Sequence, residues 1–174
     1  MVRYAETSRE YSSISRVAAI LCEPWTLLIV REAFLGTTRF EQFQSTLGTP
    51  RSLLSDRLRK LVANGILTTA PYLDSAGRKR QEYQLSPSGR DLFSILMSVR
   101  VWGDRHLAPD GPPELWHHEG CGGSLTVEVV CDRGHRNVSE LEFIVESGPG
   151  ARLARRLDES ADDLTALQYD EIAT

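Results

Sequence analysis

The chain has 174 residues, 41% of them hydrophobic and 25% charged, with a net charge of −4. That balance is ordinary for a globular protein, and the longest apolar runs, such as Leu27 to Val30, are far too short to cross a membrane. The polar start MVRYAETSREY lacks the apolar segment of a signal peptide, so a cytoplasmic location is expected. The odd set of Cys22, Cys121 and Cys131 argues against a disulfide framework.

The net charge hides an asymmetry. Residues 1–107 carry 15 Lys/Arg against 10 Asp/Glu, whereas residues 108–174 carry 5 against 14. A basic first part and an acidic second part suggest modules with different partners. Clusters of Gly and Pro at 108–113 and 147–150 punctuate the chain. The expected organisation is a first domain over 1–107, a linker over 108–113, a small β-rich module over 114–147 and a tail over 148–174.

In chain order, Ile14, Val17, Ala18 and Leu21 recur on one face of a helix over 11–21. Pro24 suits the first turn of a second helix running through Trp25, Leu28, Ile29 and Phe34, with Gly36 as its stop. Thr38 to Glu41 has the spacing of a capping box and opens a short third helix to about Leu47. Thr49-Pro50 supplies an N-cap and a first-turn proline for a fourth helix, which Asn64-Gly65 ends. Ile66 to Leu73 reads as a strand, Asp74 to Arg80 as a loop, and Gln81 to Leu85 as the returning strand. Ser86-Pro87 opens a fifth helix, with the stripe Leu92, Ile95, Leu96, Val99 and Trp102 at helical spacing. The fold class expected is mainly α with a β-hairpin wing, a winged helix-turn-helix, followed by the small β-rich module.

On the fourth helix, Leu54, Leu58 and Leu61 should face the core, which leaves Ser52, Ser55, Asp56 and Arg59 on the other side. Arg grips a guanine edge with two hydrogen bonds, and the short Ser permits close approach. Arg51 stands at the helix start, where reading helices touch bases. Arg57 and Lys60 flank the face and could meet phosphates, and Arg39 joins the candidate DNA contacts. Three successive cations, Arg78, Lys79 and Arg80, are costly to hold together unless an anion meets them, and a wing along the DNA backbone would supply one.

The stretches Trp25 to Glu32, Arg39-Phe40, Leu54 to Leu61 and Glu82 to Arg90, with the closing Trp102-Gly103-Asp104, resemble the HxlR family of bacterial regulators over roughly residues 11–107. The resemblance implies a winged-helix homodimer on a palindromic operator, with the first and last helices of the domain forming the dimer interface; a repressor is the role expected. It implies Arg51, Ser52, Ser55 and Arg59 at reading positions and Arg78, Lys79 and Arg80 in the wing. The family's Cys-Pro pair at the start of the first helix is Tyr11-Ser12 here, and its Gly-Gly-Lys stretch is Cys22-Glu23-Pro24. Redox sensing by the usual cysteine is therefore not expected, and Cys22 is expected to be a small buried residue.

In the second part, His118-x2-Cys121 and Cys131-x3-His135 are two short pairs of zinc-type ligands, separated by an alternating segment, Ser124 to Cys131. Some family relatives carry a Cys where Gly134 stands, so His135 would have to substitute for it. A metal-free ribbon competes with the zinc site, and no cofactor is required. After Gly150, leucines at 153, 157, 164 and 167 allow an amphipathic tail helix. No Gly-rich phosphate loop or catalytic Ser/His/Asp order stands out, so an enzyme is not expected. Two different functions would also suit these residues. One is an interaction adaptor that does not bind DNA, and the other is a regulator with an effector pocket near Trp102 and Trp116.

Overall fold

The computed structural model describes residues 12–151. Residues 17–143 form one compact unit, and the described residues 12–16 and 144–151 group outside it. The expected helix start at Tyr11 and the expected tail helix lie outside the described residues. The elements are α1 Ser13–Leu21, α2 Thr26–Phe34, α3 Phe40–Leu47, α4 Arg51–Ala63, β1 Leu67–Leu73, β2 Lys79–Leu85, α5 Pro87–Asp91 and α6 Phe93–His106.

The local chemistry explains most boundaries. The Ser12 hydroxyl accepts from the Ser15 amide at 3.0 Å and caps α1. The chain then turns through Cys22 to Trp25 rather than opening α2 at Pro24. Trp25 sits at φ 75°, a left-handed conformation unusual for a bulky side chain. Cys22 is exposed, contrary to expectation. Its amide closes α1 on the Ala18 carbonyl at 2.9 Å, and Leu21 takes the buried place instead.

The box at α3 is displaced by one residue. Gln42, not Glu41, accepts from the Arg39 amide at 3.0 Å. The reason is that Thr38 and Arg39 are drawn into extended pairing. The Tyr83 amide donates to the Thr38 carbonyl at 2.7 Å, and Arg39 bridges Glu82. The helix therefore cannot begin before Phe40. Before α4, the Thr49 hydroxyl is buried without a partner instead of capping, and Pro50 holds the cap position.

The wing is a two-stranded antiparallel sheet with Leu67 opposite Leu85 and Leu73 opposite Lys79. Strand β2 starts two residues earlier than the sequence suggests, so Lys79 and Arg80 belong to the strand. The expected fifth helix is two helices. Ser86 caps α5 by accepting from the Gly89 amide at 2.9 Å. The Leu92 amide bonds back to the Gly89 carbonyl at 3.2 Å, a tight closure that breaks the helical run. Gly89 presses on the chain entering β1: a Cβ there would lie 2.1 Å from the Ile66 carbonyl oxygen.

The core joins Ile29 and Val30 of α2, Phe43 of α3, Leu54, Leu58 and Leu61 of α4, and Leu67 of β1. This packing fixes α3 and α4 as the helix-turn-helix pair and seats the hairpin beside them. Helix α6 buries only Leu96 and Met97. The rest of its apolar stripe, Ile95, Val99 and Trp102, is exposed.

After α6 the chain returns along the same body. Glu114 meets Arg31 at 3.5 Å, Trp116 stacks on Phe93 at 6.3 Å between centroids, and an Arg100 N–H donates to the Leu125 carbonyl at 3.0 Å. The expected strand over Ser124 to Cys131 does not form. Two tight turns flank the segment. In the first the His118 amide bonds the Gly123 carbonyl at 2.8 Å, and in the second the Cys131 amide bonds the His135 carbonyl at 3.0 Å.

Candidate nucleic-acid interface

Burial of Leu54, Leu58 and Leu61 leaves the opposite side of α4 outward. Arg51, Ser52 and Arg59 are exposed and Ser55 is half-buried. From Ser52 to Arg59 the helix rises about 10 Å, roughly three base-pair steps at ~3.4 Å each. The Arg59 side chain is 72% exposed, and its guanidinium lies 3.5 Å from Asp56. Arg51 lies over the Phe40 ring at 4.7 Å and donates to Gln44 at 3.1 Å, which fixes the start of α4 to α3.

Arg57 and Lys60 are placed differently. The Arg57 side chain is only 14% exposed. It pairs with Glu23 and with Asp56, the latter at 2.8 Å, and it donates to the Pro24 carbonyl at 3.4 Å. Lys60 pairs with Glu23 at 3.2 Å and Asp56 at 3.6 Å. These two cations tie α4 to the α1–α2 turn. Glu23 is the anchor, and nothing in the sequence singles it out for that role. It stands 34 residues before Arg57, beyond the reach of any local pattern.

The wing approaches the helices through aromatic contacts. Arg39 lies over the Tyr72 ring of β1 at 4.7 Å, and Tyr83 of β2 meets Phe43 edge-on at 6.4 Å. Partial burial raises the Tyr83 hydroxyl above its ordinary value, opposed by the nearby Arg59 and reinforced by Glu41. At the tip, Arg78, Lys79 and Arg80 are all exposed. Arg78 and Arg80 pair with Asp74 at 2.9 and 3.3 Å. The Arg78 amide, the two guanidiniums and the Ala76 amide hold the Asp74 carboxyl down to about 2, against the opposing cost of partial burial.

The expected zinc ligands do not form a set. Cys131 and His135 approach each other, with Sγ 3.1 Å from Nδ1. Among the described residues, however, no three His, Cys, Asp or Glu side chains converge as a metal-holding group. Zinc needs four donors in a tetrahedron, so the arrangement of His118, Cys121, Cys131 and His135 does not fit it. A cavity of about 190 Å³ lies between α2, α6 and the returning chain, with Leu28, Arg31, Val99, Arg100 and Trp116 among its walls. Trp116 therefore lines a cavity, as its position near the boundary suggests. Trp102 is not part of it and packs on His106 at 5.1 Å.

Among the described residues, no single helix is long and apolar enough to cross a membrane. Residues 20–111 match the family model for the HxlR-like helix-turn-helix. The chain is 40% identical over 148 residues to the uncharacterized HTH-type transcriptional regulator Rv3095 of Mycobacterium tuberculosis (strain H37Rv), a match covering 83% of this chain and 92% of that one. Among solved structures, the transcription-factor candidate PA1607 is similar with a TM-score of 0.72 and 30% identity, over 80% of this chain and 97% of that one. A second candidate, PA1374 from Pseudomonas aeruginosa, has a TM-score of 0.58 and 29% identity, over 81% and 95%. The match to Rv3095 is longer than the whole stretch up to residue 111, so the likeness continues into the returning segment. The curated relative is named as an HTH-type transcriptional regulator. With its helix-turn-helix pair and hairpin wing, the chain belongs to the HxlR-like helix-turn-helix family and is a transcription regulator with a winged DNA-binding fold.

Proposed function

We propose that the protein is a repressor that binds a palindromic operator as a homodimer. The observation that carries the DNA contact is the pair of exposed polar and cationic sets on α4 and at the wing tip. Ser52, Ser55 and Arg59 face outward on the helix, and Arg78, Lys79 and Arg80 stand at the hairpin tip. In this reading Arg59, with Arg51 at the helix start, meets base edges, Arg39 and the wing cations meet phosphates, and Arg57 and Lys60 hold the helix in place.

The homodimer is supported by the exposed half of α6, where Trp102 is 56% and Val99 48% exposed, and by Ile14 and Val17 on α1, 82% and 39% exposed. Two-fold symmetry would set the reading helices about 34 Å apart, or a multiple of it. Genome-wide recovery of bound fragments from cells tests the reading. A shared inverted repeat upstream of genes that rise on deletion is the expected result. Random fragments, or a monomer by light scattering at micromolar concentration, would refute it.

A second reading is favoured by the cavity lined by Trp116. A small effector there would sit between α2, α6 and the returning chain. Filling it by Leu28→Trp, on the α2 wall of the cavity, should abolish any ligand response while leaving DNA binding in place. The C-terminal turns act in either reading as a metal-free ribbon. Elemental analysis of protein purified without chelator should then find well under one zinc per chain.

A further inference from the structure

The cations at the wing tip have a carboxylate of their own. One Asp74 oxygen accepts from the Ala76 amide at 3.0 Å and the Arg78 amide at 2.9 Å. The other accepts from Nε of Arg78 at 2.9 Å and Nε of Arg80 at 3.3 Å. The first oxygen thus folds the turn and the second collects two guanidiniums. Residues 78 and 80 project to one face of the chain and Lys79 to the other, so the carboxylate reaches the two arginines together. The Asp74 side chain is 17% exposed, whereas that of Arg78 is 67% exposed. The arginines are therefore open to solvent while held from the protein side.

A phosphate presents anionic oxygens to guanidinium much as a carboxylate does. A DNA backbone meeting this tip must take the guanidiniums from Asp74 or share them with it. We propose that Asp74 is an internal stand-in for DNA phosphate, which holds Arg78 and Arg80 in the free protein and limits the wing's grip on DNA of any sequence. The proposal rests on the wing meeting DNA. It assigns Asp74 a positioning role with a cost in affinity, so that contacts from α4 count for more in choosing a site.

Asp74→Asn separates the two tasks. The amide oxygen can still accept from the Ala76 and Arg78 amides, but the charge is gone. Binding to a random-sequence duplex should be measured between 50 and 200 mM salt for the wild type, D74N, the R78A/R80A pair and the combination of all three. D74N is expected to bind more tightly. Its loss of affinity over that salt range should exceed the wild type's by about tenfold, or ~3.5-fold for each added phosphate contact. The excess should vanish in the combined variant.

A D74N salt slope equal to or shallower than the wild type's, beside a weakened R78A/R80A, would leave Asp74 with a turn-forming role alone and overturn the proposal. An excess that persists without the arginines would reduce it to general charge and overturn it equally. An R78A/R80A slope matching the wild type's removes the wing from the interface and the proposal with it. That result is distinguishable because it appears before Asp74 is touched. Hairpin amide shifts verify that the turn survives, and Asp74→Ser serves as the second variant if Asn disturbs it.

Discussion

The winged helix and the returning segment over 114–143 are ordered by different means. In the first, Phe43, Ile29, Leu54 and Leu58 are fully shut from solvent. In the second, backbone turns do most of the holding, and Leu141 and Phe143 remain 88% and 61% exposed. Removing apolar surface from water contributes ~25 cal/mol per Å², so one buried aromatic outweighs an intramolecular hydrogen bond at about 1 kcal/mol net. Stability is therefore concentrated in the DNA-binding half, and the second half depends on its few anchors at Arg31, Phe93 and Arg100.

Four measurements would break or sharpen that contrast. Phe43→Ala should cost about 3–5 kcal/mol in urea unfolding, because a large side chain is lost where neighbours cannot close in. A loss below about 1 kcal/mol would show that the core is not where the stability lies. Gly89→Ala should cost about 1–3 kcal/mol by overpacking, since the new methyl meets the Ile66 carbonyl. An unchanged midpoint would mean that α5 moves freely away from the start of β1.

The third effect is confined to the hairpin tip. The Asp74 carboxyl is held at about 2 against an ordinary 3.8. Its contribution is thus fully present above 3.8 and is lost as pH falls through about 2. The Ala76 and Arg78 amide signals should be steady from neutral pH to about 4 and shift only below it. A shift centred near the ordinary carboxylate value or above it would mean that the carboxylate is not held. The smallest effect is expected of Leu141→Ala, within about 0.5 kcal/mol. A loss of about 2 kcal/mol there would show that the returning segment has a buried core of its own.

The legibility of these elements in the sequence follows the range of the forces that form them. Helices α3 and α4 and the hairpin are readable because Gly48, Pro50 and Gly65 punctuate strong apolar periodicity. The break between α5 and α6 is not, because Leu92 carries no breaker. It is set by the contact of Gly89 with a residue more than twenty positions earlier, Ile66. Alternation at Leu125, Val127 and Val129 suggests a strand, but its partners are scattered, the Leu125 amide on the Trp116 carbonyl and the Val138 amide on the Val129 carbonyl, and no continuous ladder forms. The polar face of α4 is legible as a set. The division of its cations between exposed Arg59 and anchored Arg57 and Lys60 depends on Glu23, which only folding brings near. The Asp74 latch is local, and its offsets to Ala76 and Arg78 are those of a side chain that folds its own turn.

The wing also bears on whether copies of the protein stick together. Strands with open edges invite addition of further strands. Here the outward Tyr83 amide of β2 is already taken by the Thr38 carbonyl. Tyr83 lies opposite Thr69, and Pro71 stands two residues further along β1. The amide positions of Thr69 and Pro71 therefore face the other outer edge, and at Pro71 there is no N–H to offer. Each rim of the hairpin is thus interrupted, one by a bond already made and the other by a missing donor. The protein can hold a ribbon of exposed backbone in solution without giving neighbouring molecules a template for strand-to-strand aggregation.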